Sequence, residues 1–276
     1  MIDFDQPVKI AYTCPSYKRP FCRTAHVYPK SRIYVDESEA DAYKQANGEF
    51  GTVVACPKGV QGNLPRVRNY ILDQEFRVNG ADIVVMMDDD VNHVGLFKPN
   101  VETKFGYERI KLTQDQLDWF VIYGSILCQD LGFGYWGVNY NQDKMNYHHF
   151  MPFRFNLPKI GQFMVFIKDE LRFDENLPLK EDYDMAIQQM NKYRGALLIT
   201  FAYVDADFGE LAGGTAIRRN TEREIAQYEK FKKKWGSAIV YGVHKYSKAN
   251  HDGQTKKFTN RYDFSHPNIK ILIDGV

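Results

Sequence analysis

The sequence is poor in the residues that mark disulfide-rich and zinc-binding proteins. Its only cysteines, four in 276 residues, are Cys14, Cys22, Cys56 and Cys128. None of them forms a CxxC pair, so zinc-finger spacing is absent, and a disulfide framework is not expected in a chain of this size. The histidines show no HExxH pattern either. We therefore expect reduced thiols in or near the core.

Long apolar runs and an excess of one charge are also missing. The longest apolar run, residues 197–204, is interrupted by Thr200 and falls far short of the roughly 18–20 residues of a membrane span. The net charge is +1, which implies no global attraction to nucleic acid or to a membrane. The first residues carry acids instead of the apolar core of a signal peptide, so we expect a cytoplasmic protein without a membrane partner.

The first half of the chain alternates short apolar strands with helix patterns. The segments predicted as strands are 8–13, 32–35, 52–55 and 83–87, and those predicted as helices are 38–45 and 64–75. Repeated β-α-β units predict an α/β fold with a mainly parallel sheet flanked by helices. Ligands of such sheets bind beyond the carboxyl ends of the strands.

The second half is less regular. Thr113 and Gln116 form a capping-box pattern that begins a helix over 113–131. Further helices are predicted over 180–194 and 221–235, and strands over 162–167 and 196–204. No repeat or linker interrupts the chain. We expect one domain over 1–276, with a nucleotide-binding half at 1–110 and an acceptor half at 111–276.

The strongest chemical signal is the sequence IVVMMDDDV, in which a buried strand leads directly into three acids. Asp88, Asp89 and Asp90 would repel one another unless a cation neutralised them. Asp88 and Asp90 project to the same side of an extended segment, and their oxygens suit Mg²⁺ or Mn²⁺. The alternative is an acidic turn exposed to solvent.

The loop after the first strand, TCPSYKRP, has nucleotide-binding chemistry. Tyr17 offers a ring for base stacking, and Lys18 or Arg19 offers a cation for phosphate. The alternative is an exposed basic turn.

A third segment, residues 58–72, combines a glycine loop with a helix start at Pro65. Arg66, Arg68 and Asn69 lie on the first helical turn, from which they could reach a diphosphate or the acidic turn. The P-loop pattern is absent. Surface arginines on a helix are the alternative.

A fourth segment, LPLKEDYDMAI, places Glu181, Asp182 and Asp184 at a helix start. Acids are common in first helical turns, where the dipole favours them. Beside a metal site, one of them becomes a candidate general base for an acceptor hydroxyl.

Taken in order, these segments resemble a GT-A-type nucleotide-sugar glycosyltransferase over roughly residues 8–215. The matching elements are a PSYxR-like nucleotide loop (Pro15, Ser16, Tyr17, Arg19), an R-N helix (Arg68-Asn69), a DxD motif (Asp88-Asp89-Asp90) and a Glu-Asp pair carrying the base (Glu181-Asp182). The resemblance implies a divalent cation and a nucleotide-sugar donor of the UDP type. It assigns Asp182 as the base of an inverting transfer, with a retaining mechanism as the alternative.

Within that group the chain resembles the TET-associated glycosyltransferases of bacteriophages, through PSYKR, PRVRN, MMDDDV and the turn at 213–215. These enzymes are thought to modify hydroxylated pyrimidines in DNA, which would place the protein in the host cytoplasm. One departure concerns the last metal ligand, often a histidine in GT-A enzymes. Here Asp207, Asp205 and His244 are the candidates, and Asp207 is the one we assign.

Charge is unevenly distributed along the chain. Residues 230–261 carry nine Lys or Arg and one Asp, with aromatic residues between them. This composition suits DNA phosphates and bases, so we expect a DNA acceptor to bind there. A solubilising basic tail is the alternative. Other functional hypotheses are transfer to a glycan or protein, a nucleotidyltransferase, and a non-catalytic binding domain.

Overall fold

The computed structural model describes residues 1–104, 106–143, 147, 149–156, 161–207, 221–246 and 259–269. The chain divides into two compact units. The first comprises Met1–Glu175 and Glu181–Ile217, and the second comprises Asn176–Lys180 and Arg218–Val276. The interpretation of 1–276 as one domain stays a prediction.

The first unit contains a ten-stranded sheet whose first half is parallel, in the order β3-β2-β1-β4. Its strands are β1 (Ile10–Pro15), β2 (Ser31–Asp36), β3 (Thr52–Cys56) and β4 (Ile83–Met87). The helices between them are α1 (Arg23–Val27), α2 (Ala40–Asn47) and α3 (Leu64–Leu72), the last continued by a π-helical segment, Asp73–Val78. The four strands predicted in this half are confirmed, and the bounds of β4 match the prediction at both ends.

The second half of the sheet continues in the order β9-β7-β10-β5-β6, and β8 pairs with β10. These strands are β5 (Val91–Pro99), β6 (Tyr107–Lys111), β7 (Tyr135–Asn139), β8 (Phe153–Arg154), β9 (Phe163–Phe166) and β10 (Leu197–Ala206). β9 runs antiparallel to β4 and β7, and β5 runs antiparallel to β10 and β6. The α/β class is therefore confirmed, and the sheet is mixed, with consecutive parallel pairs in its first half.

Both faces of the sheet are buried, which explains why β4 is apolar at every position. Ile83, Val85 and Met87 belong to one core cluster, whereas Val84 and Met86 belong to another. Successive side chains of a strand point to opposite faces, so a strand covered on both faces needs an uninterrupted apolar run.

Two longer helices accompany the second half of the sheet, α4 (Gln114–Asp130) and α5 (Glu181–Tyr193). The capping box predicted for α4 is confirmed: Thr113 Oγ1 accepts from the Gln116 N–H at 3.3 Å, and Gln116 Oε1 accepts from the Thr113 N–H at 3.0 Å. Gly124 lets α4 approach β7 closely, because a Cβ there would lie 2.5 Å from the Trp136 ring.

All four cysteines are buried and free, as expected. Within the described ranges, no helix is long and apolar enough to cross a membrane.

The second unit contains α6 (Thr221–Trp235) and an antiparallel pair, β11 (Ile239–Tyr246) and β12 (Thr259–Ile269). The helix has the predicted bounds, whereas the strand pair was not predicted. Lys180 and Glu224, both buried, form an ion pair of 2.5 Å that holds the short segment Asn176–Lys180 against α6.

Candidate active site at the carboxyl ends of β1 and β4

The strand order reverses between the neighbouring strands β1 and β4. The chain builds β1, β2 and β3 outward in one direction and then returns to place β4 on the other side of β1. Ligands of open α/β sheets bind beyond the carboxyl ends of the strands at such a reversal. Two of the predicted site segments lie at this point: residues 16–19 after β1 and residues 88–90 after β4.

The acidic turn is held by backbone hydrogen bonds from neighbouring elements. The Thr24 hydroxyl of α1 donates to the Asp88 carbonyl at 2.6 Å and accepts from the Val91 N–H at 3.0 Å. The Asp88 N–H donates to the carbonyl of Gln162, which precedes β9, at 3.2 Å. The backbone of the acidic turn is therefore fixed by α1 and by the residue before β9.

Arg19 and Ser16 bring the β1 loop onto these acids. Arg19 Nη1 lies 2.5 Å from Asp89 Oδ1 and 3.2 Å from Asp90 Oδ2. The Ser16 hydroxyl donates to Asp89 Oδ2. Two segments separated by about 70 residues in sequence therefore form one polar cluster.

Arg19 and Ser16 do not satisfy every carboxylate oxygen of the cluster. Burial raises the pKa of Asp89, although hydrogen bonds from Ser16 and the charge of Arg19 oppose the shift. Burial, together with the charges of Asp88 and Asp89, raises the pKa of Asp90 to about 7. Asp90 Oδ1 is buried and has no hydrogen-bond partner. This unpartnered oxygen beside two further carboxylates is the environment that a hard divalent cation fits.

Tyr43 of α2 orders the β1 loop. Its hydroxyl lies 2.8 Å from Ser16 Oγ and accepts from the Arg19 N–H at 3.0 Å. The ring is fully buried, and burial raises its pKa to about 12, so it stays a neutral phenol. Lys18 has a left-handed backbone with φ of +53°. A strained residue next to such contacts is typical of ligand-binding loops.

Pro15 and Tyr17 lie on either side of Ser16. Pro15 ends β1 beside Tyr34 of β2, and the following Ser16 N–H donates to the Tyr34 carbonyl at 3.0 Å. Tyr17 is half-buried, with the Lys18 ammonium 5.2 Å from its ring centre. Its use in base stacking stays a prediction.

Arg68 joins the acidic turn to the start of α5. Its guanidinium lies 3.1 Å from Glu181 Oε1 and 3.5 Å from Asp88 Oδ1, and it packs over the Phe173 ring at 5.4 Å. The side chain is almost fully buried. Arg68 therefore contacts the acidic turn, and its contact with a diphosphate stays a prediction.

Arg66 and Asn69, the other two polar residues predicted at the start of α3, contact the segment before α5. Asn69 exchanges two hydrogen bonds with the backbone of Phe173, at 2.9 and 2.7 Å. Arg66 Nε donates to Glu175 Oε2 at 2.8 Å, and its Nη1 donates to the Gly59 carbonyl. Both side chains fix this segment, and their contact with a nucleotide stays a prediction.

Asp182 follows Glu181 at the start of α5 and is less buried than its neighbours. Its Oδ1 accepts from the Tyr183 N–H at 2.9 Å, and the residue is half-buried, whereas Asp184 is fully buried and accepts from Gln188 at 2.7 Å. Burial, followed by the charge of Asp182, raises the pKa of Tyr135 on β7. Asp182 is thus the more accessible of these two carboxylates.

The candidates for a third metal ligand have other partners. Asp207 accepts from Arg23 and, at 2.9 Å, from Asn92. Asp205 accepts from Gln142 at 3.1 Å and lies 3.5 Å from His93 Nδ1. The Asp207 N–H donates to the Asp90 carbonyl at 3.4 Å, which brings the end of β10 to the acidic turn. The side chain of His244 and the turn at 213–215 lie outside the described residues.

Across the described ranges, no three His, Cys, Asp or Glu side chains are arranged to coordinate a metal together. The metal site therefore stays a prediction that rests on Asp88 and Asp90, with oxygen ligands from a nucleotide still required.

Sequence reasoning missed the residues that position the site. Four residues contact the cluster or its edge and belong to no recognisable motif: Thr24, Tyr43, Arg23 and Asn92. Only the tertiary fold brings them there, so no local pattern could have identified them.

No protein-family model matches the chain, and no curated protein matches it. Among solved structures, a mycobacterial protein is similar with a TM-score of 0.47 and 12% identity, covering 95% of this chain and 86% of its own. A protein from STIV has a TM-score of 0.39 and 10% identity, with coverages of 77% and 92%. A cytidylyltransferase from Leptospira borgpetersenii serovar Hardjo-bovis has a TM-score of 0.37 and 10% identity, with coverages of 71% and 76%. Likenesses this weak establish no function.

Proposed function

We propose that this protein is a nucleotide-dependent transferase that moves a sugar from a UDP-type donor to a hydroxyl group. The observation that carries the proposal is the cluster at the carboxyl ends of β1 and β4, where the unpartnered Asp90 oxygen, two further acids and Arg19 meet. Its location supports a nucleotide ligand, and its excess of carboxylates supports a divalent cation, Mn²⁺ or Mg²⁺.

In this proposal Asp88 and Asp90 would hold the cation, and Asp89 would stay paired with Ser16. The cation would neutralise the charge that develops on the leaving diphosphate. Tyr17 would stack on the base, and Arg19 would bind phosphate oxygens bidentately. Asp207 is the proposed third ligand, which requires it to leave Arg23 or to share one oxygen.

The transfer itself would use Asp182. The acceptor oxygen attacks the anomeric carbon, the bond from that carbon to the diphosphate oxygen breaks, and UDP leaves with the electron pair. Asp182 takes the acceptor proton, and attack from the opposite side inverts the configuration. Glu181, held by Arg68, would fix the start of α5 relative to the acidic turn.

The test is calorimetric titration of the protein with UDP in the presence and absence of Mn²⁺. We expect Mn²⁺ to tighten UDP binding by about 5–150-fold, the usual range of coupling between two ligands. Thermal unfolding should shift upward in parallel, because a ligand that binds only the folded state stabilises it.

Product analysis separates the enzyme classes. Release of UDP from a UDP-sugar supports sugar transfer, whereas release of pyrophosphate from a nucleoside triphosphate would replace it with nucleotidyl transfer. UDP binding that Mn²⁺ leaves unchanged would contradict the proposed metal centre.

We further propose that the acceptor is a hydroxymethylated pyrimidine in phage DNA, bound through residues 230–261. The described part of this segment includes the last turn of α6, with Lys232, Lys233 and Lys234. Since a base inside a duplex cannot reach a transfer site, the DNA must be single-stranded or its base flipped.

Changing Lys232, Lys233 and Lys234 together to Glu should weaken DNA binding strongly and reduce its salt dependence, because each lost phosphate contact removes counterion release. Fluorescence anisotropy with labelled single-stranded DNA across a salt series measures both effects. The matched control changes the exposed Lys44, Lys58 and Lys98 to Glu, which alters the net charge equally. Equal losses in both variants, or transfer only to glycans or proteins, would exclude this DNA surface.

A further inference from the structure

Arg19 pairs with Asp90, one of the two carboxylates that the proposed cation needs. We infer that the Arg19 guanidinium is a built-in counter-ion of the acidic turn, and that it makes cation binding conditional on a nucleotide diphosphate. The inference rests on the proposed function and specifies how the same site is regulated.

The geometry sets guanidinium and cation in competition. Arg19 Nη1 contacts Asp89 Oδ1 and Asp90 Oδ2, and the Arg19 side chain is only 15% exposed. A divalent cation on Asp90 would lie within a few ångströms of this guanidinium. Two positive groups at that separation repel strongly in a partly buried site, where water screens them weakly. Cation binding therefore requires Arg19 to move or costs free energy.

The loop permits the Arg19 side chain to move while its backbone stays fixed. Tyr43 accepts from the Arg19 N–H at 3.0 Å, the Ser16 N–H donates to the Tyr34 carbonyl at 3.0 Å, and the Lys18 N–H donates to Glu39 at 3.1 Å. These three contacts hold the main chain of 16–19 without using the guanidinium. Rotation about the side-chain bonds of Arg19 would break its contacts with Asp89 and Asp90 and leave these backbone contacts intact.

A diphosphate gives the released guanidinium a better partner. Arginine binds phosphate oxygens bidentately, and the diphosphate also supplies oxygens to the cation. Binding of the diphosphate thus removes the competitor and adds ligands at the same time. Because coupling between two ligands is reciprocal, the cation must strengthen nucleotide binding by the same factor.

The experiment measures Mn²⁺ binding directly, by electron paramagnetic resonance of free Mn²⁺, with and without UDP. Arg19→Gln should bind Mn²⁺ more tightly than the wild type when UDP is absent, by about 5–150-fold. It should lose the part of the UDP-induced tightening that comes from release of Arg19 and keep the part that comes from the added phosphate oxygens. Arg19→Lys, which keeps the charge, should resemble the wild type without UDP.

The matched control is Arg77→Gln. Arg77 also pairs with two aspartates, Asp73 at 3.1 Å and Asp169 at 2.8 Å, but it lies outside the cluster. Its Mn²⁺ affinity should equal that of the wild type. An Arg19→Gln protein that binds Mn²⁺ no more tightly than the wild type without UDP overturns the inference and leaves the proposed function intact. Absence of Mn²⁺ binding in every variant, even with UDP, overturns the proposed metal centre and this inference with it.

Discussion

Asp90→Ala should abolish sugar transfer while leaving the protein folded. A metal ion in such a site supplies several kcal/mol of transition-state stabilisation, so we expect kcat to fall by about 10³-fold or more. The fold should survive, because burial and the charges of Asp88 and Asp89 raise the pKa of Asp90, so its charged form is unfavourable and its removal costs little. Initial-rate kinetics with a UDP-sugar and thermal unfolding together measure the two effects.

The control for Asp90→Ala is Asp41→Ala, which removes a carboxylate of α2 whose side chain is 98% exposed. It should leave both rate and stability close to the wild-type values, since exposed ion pairs contribute little. If Asp90→Ala kept a near-normal rate that still depended on Mn²⁺, the acidic turn would not be the metal site.

Asp182→Asn should lower kcat by about 10²–10⁴-fold, the usual contribution of a general base. The side chain keeps its shape and loses its ability to take the acceptor proton. Because Asp182 is assigned to the acceptor proton and the donor contacts are assigned to residues 15–19 and 88–90, UDP affinity should change little. Steady-state kinetics and calorimetric titration with UDP separate the two quantities.

Asp184→Asn offers a comparison within the same helical turn. Asp184 is fully buried and hydrogen-bonded to Gln188. Its replacement should lower the unfolding temperature and leave kcat close to the wild-type value. A loss of UDP affinity with normal turnover in Asp182→Asn would instead place Asp182 in the donor site. Retention of anomeric configuration in the product would remove the base role altogether.

Local sequence patterns predicted several elements at residue level because their causes are local. β4 is bounded by a change from five apolar residues to three acids, and α4 begins at a capping box that involves only Thr113 and Gln116. α6 has the predicted bounds, Thr221–Trp235. In each case adjacent residues contain the whole signal.

Other elements had no such signal. β5 begins immediately after the acidic turn. The acids predict a loop at this point, whereas the chain reverses direction and continues as a strand. β7 lies in a stretch rich in glycine and aromatic residues, and its strand conformation depends on pairing with β9 and β10. Strand pairing is a long-range property, which explains why a mainly parallel sheet was expected and a mixed one was found.

The sequence by itself determined the α/β class, the buried β4 strand and the chemical character of the site. The order of residues alone places acids after one strand, and a hydroxyl, a ring and cations after another. The tertiary structure decided which groups meet. Arg19 pairs with Asp89 and Asp90, Arg68 with Asp88 and Glu181, and Thr24 and Tyr43 hold the two loops. The physical reason is distance along the chain: partners separated by tens of residues are brought together only by the pairing of strands and the burial of both faces of the sheet.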